Sequence, residues 1–183
     1  VAQRLKLLQD DEINKKVADL WPETRPVGSS EKTTLMNKIS SLAASPPKGD
    51  PVKGRQLFLA TCGRCHKLYN EGGNIGPDLT GYERSNLSTL LINIVDPNAD
   101  IREGYEVQRI VTTDGRTLEG RIVNRNGGNV TFQPPFGGRE ITLGADQIKE
   151  IKARPTSIMP ERLLDKMTDQ QLRDLFSYIT KKD

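Results

Sequence analysis

The chain has 183 residues, of which 28% are charged, and its 27 basic and 24 acidic side chains are spread along its length to give a net charge of +3. No apolar run approaches the ~20 residues that a bilayer span needs, and no basic stripe follows the pattern of a phosphate backbone, so neither a membrane span nor a nucleic-acid partner is expected. Only two cysteines occur, Cys62 and Cys65. A pair so close together excludes a disulfide framework and points to a local use of the thiols.

The chain opens at Val1. With no initiator Met and no apolar leader, such a start fits a mature exported protein or a piece of a longer one. Apolar residues at helical spacing (Leu5, Leu8, Ile13, Val17, Leu20, Trp21) predict a first helix, and Leu35, Ile39 and Leu42 a second. The stretch Ser45-Pro46-Pro47-Lys48-Gly49-Asp50-Pro51 can neither continue a helix nor bury itself, and is expected to end an N-terminal helical segment of residues 1–44. A helical pattern from Val52 to Leu68, carrying Leu57, Phe58 and Ala60, runs into Cys62-Gly63-Arg64-Cys65-His66. A Gly-rich loop follows, then a helix over 85–95 that Asp96-Pro97 ends. From Tyr105 the apolar period changes to two. Five strands are predicted, over 105–113, 116–124, 129–133, 139–143 and 147–152, with Asp114-Gly115 and Asn126-Gly127 as hairpin turns. Thr168-Asp169-Gln170-Gln171 reads as a capping box for a last helix whose apolar stripe is Leu172, Leu175, Phe176 and Ile179.

The chemistry sits in C-x-x-C-H, the attachment sequence of c-type haem: two thiols add to two vinyl groups, and the adjacent His66 turns its imidazole onto the iron. Three other readings are weaker. A zinc knuckle needs about four ligands, and one Cys pair beside one His does not close a tetrahedron. A redox dithiol is expected after a strand, whereas this pair follows a helical run. A chance surface pair would not place the chain's single His directly after the second Cys. That single His also rules out bis-imidazole ligation, so the sixth ligand is Met, a weaker donor or nothing. Of the three methionines, Met36 lies before the Pro/Gly break and Met167 at the entry to the last helix, where a core role is the plainer reading. Met159 precedes Pro160 in an expected loop and is the candidate axial ligand.

Residues 52–104 and 153–183 together resemble a class I cytochrome c. The resemblance is carried by Gly54 and Phe58 ahead of Cys62, by Gly76-Pro77-Asp78-Leu79, by Ile158-Met159-Pro160 and by Leu175-Phe176-Ser177-Tyr178-Ile179. It implies a mainly α cytochrome c fold with one covalent haem c. Its cofactor-binding residues would be Cys62, Cys65, His66, Pro77, Leu79 and Met159, with iron held by His66 and Met159. It further implies that Pro77 offers its carbonyl to His66, and that Gly54 lets the last helix cross closely under Tyr178. The departure is the β unit over 105–152, which loosely resembles a small Sm-like or SH3-like barrel and carries seven basic and six acidic residues. A haem domain split in this way is similar to the haem-binding domain at the C-terminus of large secreted planctomycete and verrucomicrobial proteins.

That likeness covers 52–183 and implies a periplasmic or otherwise exported location, with residues 1–44 as the tail of a preceding helical-repeat region. The leading functional reading is single-electron transfer to a redox partner protein or domain, with no catalytic residues. The alternatives are a haem-based small-ligand sensor or peroxidase-like domain with a labile or open sixth site, and an interaction module in which haem is only a staple.

Overall fold

The computed structural model describes residues 10–20, 30–135 and 137–181. Helix α1 is Asp11–Leu20 and α2 is Ser30–Ala44. Leu5, Leu8 and Trp21, expected in the first helix, lie outside the described residues. Asp50 caps α3 (Pro51–Thr61): its carboxylate accepts from the backbone of Val52 at 2.8 Å, and Pro51 opens the first turn without wasting a donor. The expected continuation of this helix to Leu68 does not form. Cys62 closes it, Gly63 N–H also returns to Phe58 O at 2.7 Å, and Lys67–Leu68 (β1) instead pairs with Glu71–Gly72 (β2). The turn between them places both Tyr69 and Asn70 at positive φ, as a two-residue hairpin of this hand requires. Tyr69 is held there by its hydroxyl, which donates to the Lys181 carbonyl at 2.7 Å, and by the Arg84 guanidinium over its ring.

Helix α4 (Leu87–Val95) is capped by Asn86, and α5 (Asp169–Ile179) by the reciprocal Thr168 and Gln171 bonds that the sequence predicts. Helices α3 and α5 cross at Gly54, where a Cβ would stand 1.9 Å from the Asp174 carbonyl oxygen and 2.8 Å from Tyr178 Cβ. Only a glycine permits that approach. The crossing buries Phe58, Leu172, Leu175, Phe176 and Ile179 with Leu90 and Leu91 of α4. Ile39 of α2 is 1% exposed in the same core, beside Leu35, Met36 and Leu42, so the Pro/Gly break interrupts the chain without separating two cores. Arg173 of α5 secures the join by donating to the carbonyls of Leu42, Ser45 and Pro47.

Between α4 and α5 lies an antiparallel sheet in the order β6, β5, β4, β3, β7, formed by β3 (Glu106–Thr112), β4 (Thr117–Asn126), β5 (Asn129–Gln133), β6 (Ile141–Gly144) and β7 (Ile148–Ser157). Ile110, Phe132 and Leu143 form its own small core with Leu118, Ile122, Ile148 and Ile151. Two expectations are corrected here. With a sheet of this size the molecule is mixed α and β rather than mainly α. The sheet is also not closed into a barrel: a 3-10 turn at Ala145–Gln147 sends the chain away from β6, and β7 pairs with β3 instead. Strand β7 further runs five residues past the expected end at 152, because Ser157 completes its ladder opposite Glu106.

Candidate functional site

A cavity of about 510 Å³ opens between the helical core and the root of the sheet. Cys62, Cys65, His66, Pro77, Leu79 and Met159 all line it, although they come from the end of α3, the loop after β2 and the segment after β7. The structure therefore gathers every sequence-predicted site residue on one surface. All three methionines pack against the helical core, but Met36 and Met167 do not line the cavity.

The C-x-x-C-H segment is coiled by its own backbone. Cys65 N–H and His66 N–H both return to the Cys62 carbonyl, at 3.0 and 2.9 Å, which keeps the two thiols and the imidazole on one side of the turn. Gly76 N–H donates to the Cys65 carbonyl at 2.8 Å and brings the Gly76-Pro77 loop beneath the ring. There His66 Nδ1 lies 3.0 Å from the Pro77 carbonyl oxygen. A carbonyl only accepts, so the proton sits on Nδ1 and Nε2 keeps its lone pair for a metal. Burial holds the imidazole pKa below its ordinary value, against the opposing pull of the Pro77 carbonyl, so the neutral, ligating form prevails. The loop lies so close to the ring that a Cβ on Gly76 would meet His66 Cε1 at 2.5 Å.

Burial also pushes the Cys62 thiol up to about 12, with the neighbouring Cys65 adding to the shift. A thiol so reluctant to ionise is a poor exchange nucleophile, which argues against the redox-dithiol reading. Among the described residues no group of three or more His, Cys, Asp or Glu side chains gathers to hold a metal, so the zinc-knuckle reading has no ligand set. What the donor set fits is a haem. Two thiols and an imidazole with a free Nε2 lie along one cavity lined with Phe58, Ile75, Leu90, Ile94 and Ile158, and a thioether is at the same surface.

Met159 is pinned by contacts that reading the sequence did not find. Its N–H donates to Ser157 Oγ at 3.1 Å, and Ser157 N–H donates to Asn98 Oδ1 at 2.8 Å. Asn98 Nδ2 donates in turn to Glu161 Oε1 at 2.7 Å, and Lys32 of α2 bridges Glu161 and Asp96 at 2.7 and 2.6 Å. The one local signal for this clamp is a Ser two residues before the Met. Asn98, 59 residues from Ser157 in the chain, leaves none. Ser157 and Tyr105, at the two ends of the sheet, also line the cavity, so the inserted unit forms part of its wall.

The cytochrome c family model matches residues 51–182 of this chain. A cytochrome c of Theileria annulata is 48% identical to it over 38 residues, which are 20% of this chain and 32% of that protein. The chain thus spans about a third of the length of this curated relative. No helix among the described residues is long and apolar enough to cross a membrane. A family match reaching from the first residue of α3 past the end of α5, across the inserted sheet, places the chain in the cytochrome c family, whose members carry covalently bound haem c.

Proposed function

We propose that the protein is an electron-transfer cytochrome module that carries one haem and passes single electrons to a redox partner protein or domain. Cys62 and Cys65 would hold the haem through thioether bonds, His66 Nε2 and the Met159 sulfur would hold its iron, and Leu79 would line its pocket. Bound there, haem c supplies an iron that alternates between ferrous and ferric states, a one-electron couple. The protein's own part is positioning. Pro77 fixes the tautomer and plane of His66, and the Ser157 hydroxyl fixes the backbone of Met159. The apolar wall keeps water from the iron, which favours the less charged ferrous state.

The observation that carries this reading is Met159 on the same cavity as His66, while Met36 and Met167 do not line it. With His66 and Met159 both holding the iron, no coordination position would be left for a substrate, which favours electron transfer over a sensor or peroxidase-like role. The sheet inserted between α4 and Met159 supports the finer likeness to the split haem-binding domain of large exported proteins, and with it a periplasmic or otherwise exported location. The test is a reversible redox titration with near-infrared and carbon monoxide difference spectra. A one-electron couple, a sulfur-to-iron charge-transfer band and no carbon monoxide complex are expected. A ferrous protein that binds carbon monoxide readily would favour the sensor instead.

A further inference from the structure

The loop that carries Met159 is tied down on both sides of the methionine by one side chain. Ser157 and Glu161 stand two residues before and two after Met159, and both bind Asn98. Ser157 N–H donates to Asn98 Oδ1 at 2.8 Å, and Asn98 Nδ2 donates to Glu161 Oε1 at 2.7 Å. Asn98 is positioned just past α4, where Ala99 N–H returns to the Asp96 carbonyl at 2.8 Å. The same Glu161 oxygen accepts from Lys32 of α2 at 2.7 Å, and Lys32 also donates to the Asp96 carboxylate at 2.6 Å. The Asp96 side chain is 8% exposed, so this end of the bridge is a buried, fixed point, whereas Glu161 lies on the surface.

Lys32 lies outside the residues 51–182 matched by the cytochrome c family, so this bridge is made by a helix that the match does not include. A buried carboxylate needs a compensating partner, which keeps the Lys32 ammonium at Asp96 and lets it act as a strut for Glu161. A thioether is a weak, neutral donor, and for it to leave an iron the loop that presents it must move away. Each bond across that loop adds to the cost of the movement, the charge-assisted ones most. We propose that Lys32 is a positioning residue for the sixth ligand: through Glu161 and Asn98 it closes a staple over the Met159 loop, so that helix α2 sets how readily the thioether is displaced. This inference rests on the reading that Met159 ligates the haem iron.

The test uses ferric holo-protein with Lys32→Met and Lys32→Arg. Lys38→Met is the control, because Lys38 of the same helix forms an exposed ion pair with Asp169 of α5, at 2.6 Å, that does not reach the Met159 loop. The measurement is the concentration of added imidazole that halves the sulfur-to-iron band. Imidazole binds the fraction of molecules whose thioether has left, so its apparent affinity reports that fraction. Lys32→Met should keep covalent haem and lower the halving concentration by about tenfold, the scale set by loss of one charge-assisted hydrogen bond. Lys32→Arg, which can still bridge two carboxylates, should restore most of the wild-type value, and Lys38→Met should leave it unchanged. A wild-type value for Lys32→Met at full haem content would overturn the proposal. So would an equal drop in Lys38→Met, which would show that α2 acts only as a structural anchor. Should Lys32→Met fail to fold, Glu161→Ala decides, since this side chain is 39% exposed and its truncation leaves Lys32 at Asp96. A drop there supports the staple, and a wild-type value overturns it. A wild-type protein with no sulfur-to-iron band is a different result: it overturns the Met159 ligation itself, and this proposal with it.

Discussion

Nδ1 of His66 donates to the carbonyl of Pro77 across 3.0 Å, and the Gly76 that leads into this proline has its Cα so near the imidazole that a single added carbon would overlap the ring. Gly76→Ala must therefore displace either the ring or the loop that orients it. The variant should lower thermal stability and shift the haem absorption and haem-methyl NMR signals. Gly81→Ala, where an added Cβ meets nothing within 4 Å, should leave the spectra unchanged. Equal behaviour of the two variants would show that the ring position is not set by this loop.

The crossing of α3 and α5 depends on Gly54 in a similar way, but here the obstacle is backbone, the Asp174 carbonyl at 1.9 Å from a built Cβ, and it cannot rotate away. Gly54→Ala should destabilise the fold by about 2 to 3 kcal/mol, as overpacking of a close contact does. Chemical denaturation of the holo-protein measures this directly. A loss below about 0.5 kcal/mol would mean that the helices part without penalty.

These two glycines mark what was legible in the sequence and what was not. Residues whose roles are local could be read directly: the C-x-x-C-H run, the Thr168 cap, the Asp114-Gly115 turn and Pro160 after Met159. The β1 and β2 hairpin could not, because its turn uses Tyr69 and Asn70 rather than a glycine pair, and Tyr69 tolerates positive φ through contacts with Arg84 and Lys181 made far along the chain. Sheet closure was likewise invisible, since alternation reports which face of a strand is buried and not which strand lies beside it. The packing of Ile39 into the helical core escaped for the same reason: composition shows where a chain bends, not what it returns to.

Arg55 of α3 and Glu71 of β2 join in an exposed ion pair just behind the attachment turn. The hydrogen bond from Arg55 holds the Glu71 carboxyl below its ordinary pKa. A depressed folded-state pKa adds stability that is present above the unfolded carboxylate value and lost as pH falls through the folded one. Thermal midpoints of the wild type should therefore fall more steeply on acidification than those of Glu71→Gln, and the two curves should converge in acid. The difference at neutral pH should be small because the pair is exposed. Parallel curves throughout would show that the pair contributes nothing.

The two ends of the inserted sheet meet at Glu106 and Ser157, which are paired across the ladder. A short Gly/Ser linker in place of 107–156 can bridge that gap while leaving Tyr105 and Ser157 on the cavity. Such a protein should keep covalent haem and a low-spin spectrum. Extending the replacement to 105–157 removes both the Tyr105 carbonyl that accepts from Ile158 N–H and the Ser157 hydroxyl that accepts from Met159 N–H, and should yield a high-spin, carbon monoxide-binding haem. Loss of covalent haem in the shorter excision would show that the sheet is needed to form the attachment site.

Met159 gives the sharpest test of the proposed ligation. It is one of three methionines in the chain, but Met36 and Met167 are packed against the helical core and only Met159 lies on the cavity with His66. Thioether ligation favours ferrous iron and produces a sulfur-to-iron band in the ferric protein. Met159→Ala should therefore lose that band, lower the reduction potential and gain carbon monoxide binding. Met36→Ala and Met167→Ala should change none of the three, although each removes partly buried contacts and should lower stability, by less than the ~2 kcal/mol lower end for a buried core methionine. Ser157→Ala is the graded case: the sulfur remains but its backbone loses a hydrogen bond, so the band should persist while carbon monoxide displaces Met159 more readily. A spectroscopically silent Met159→Ala would remove the sixth ligand from the proposal, and the open-site sensor would then account for the cavity better than electron transfer does.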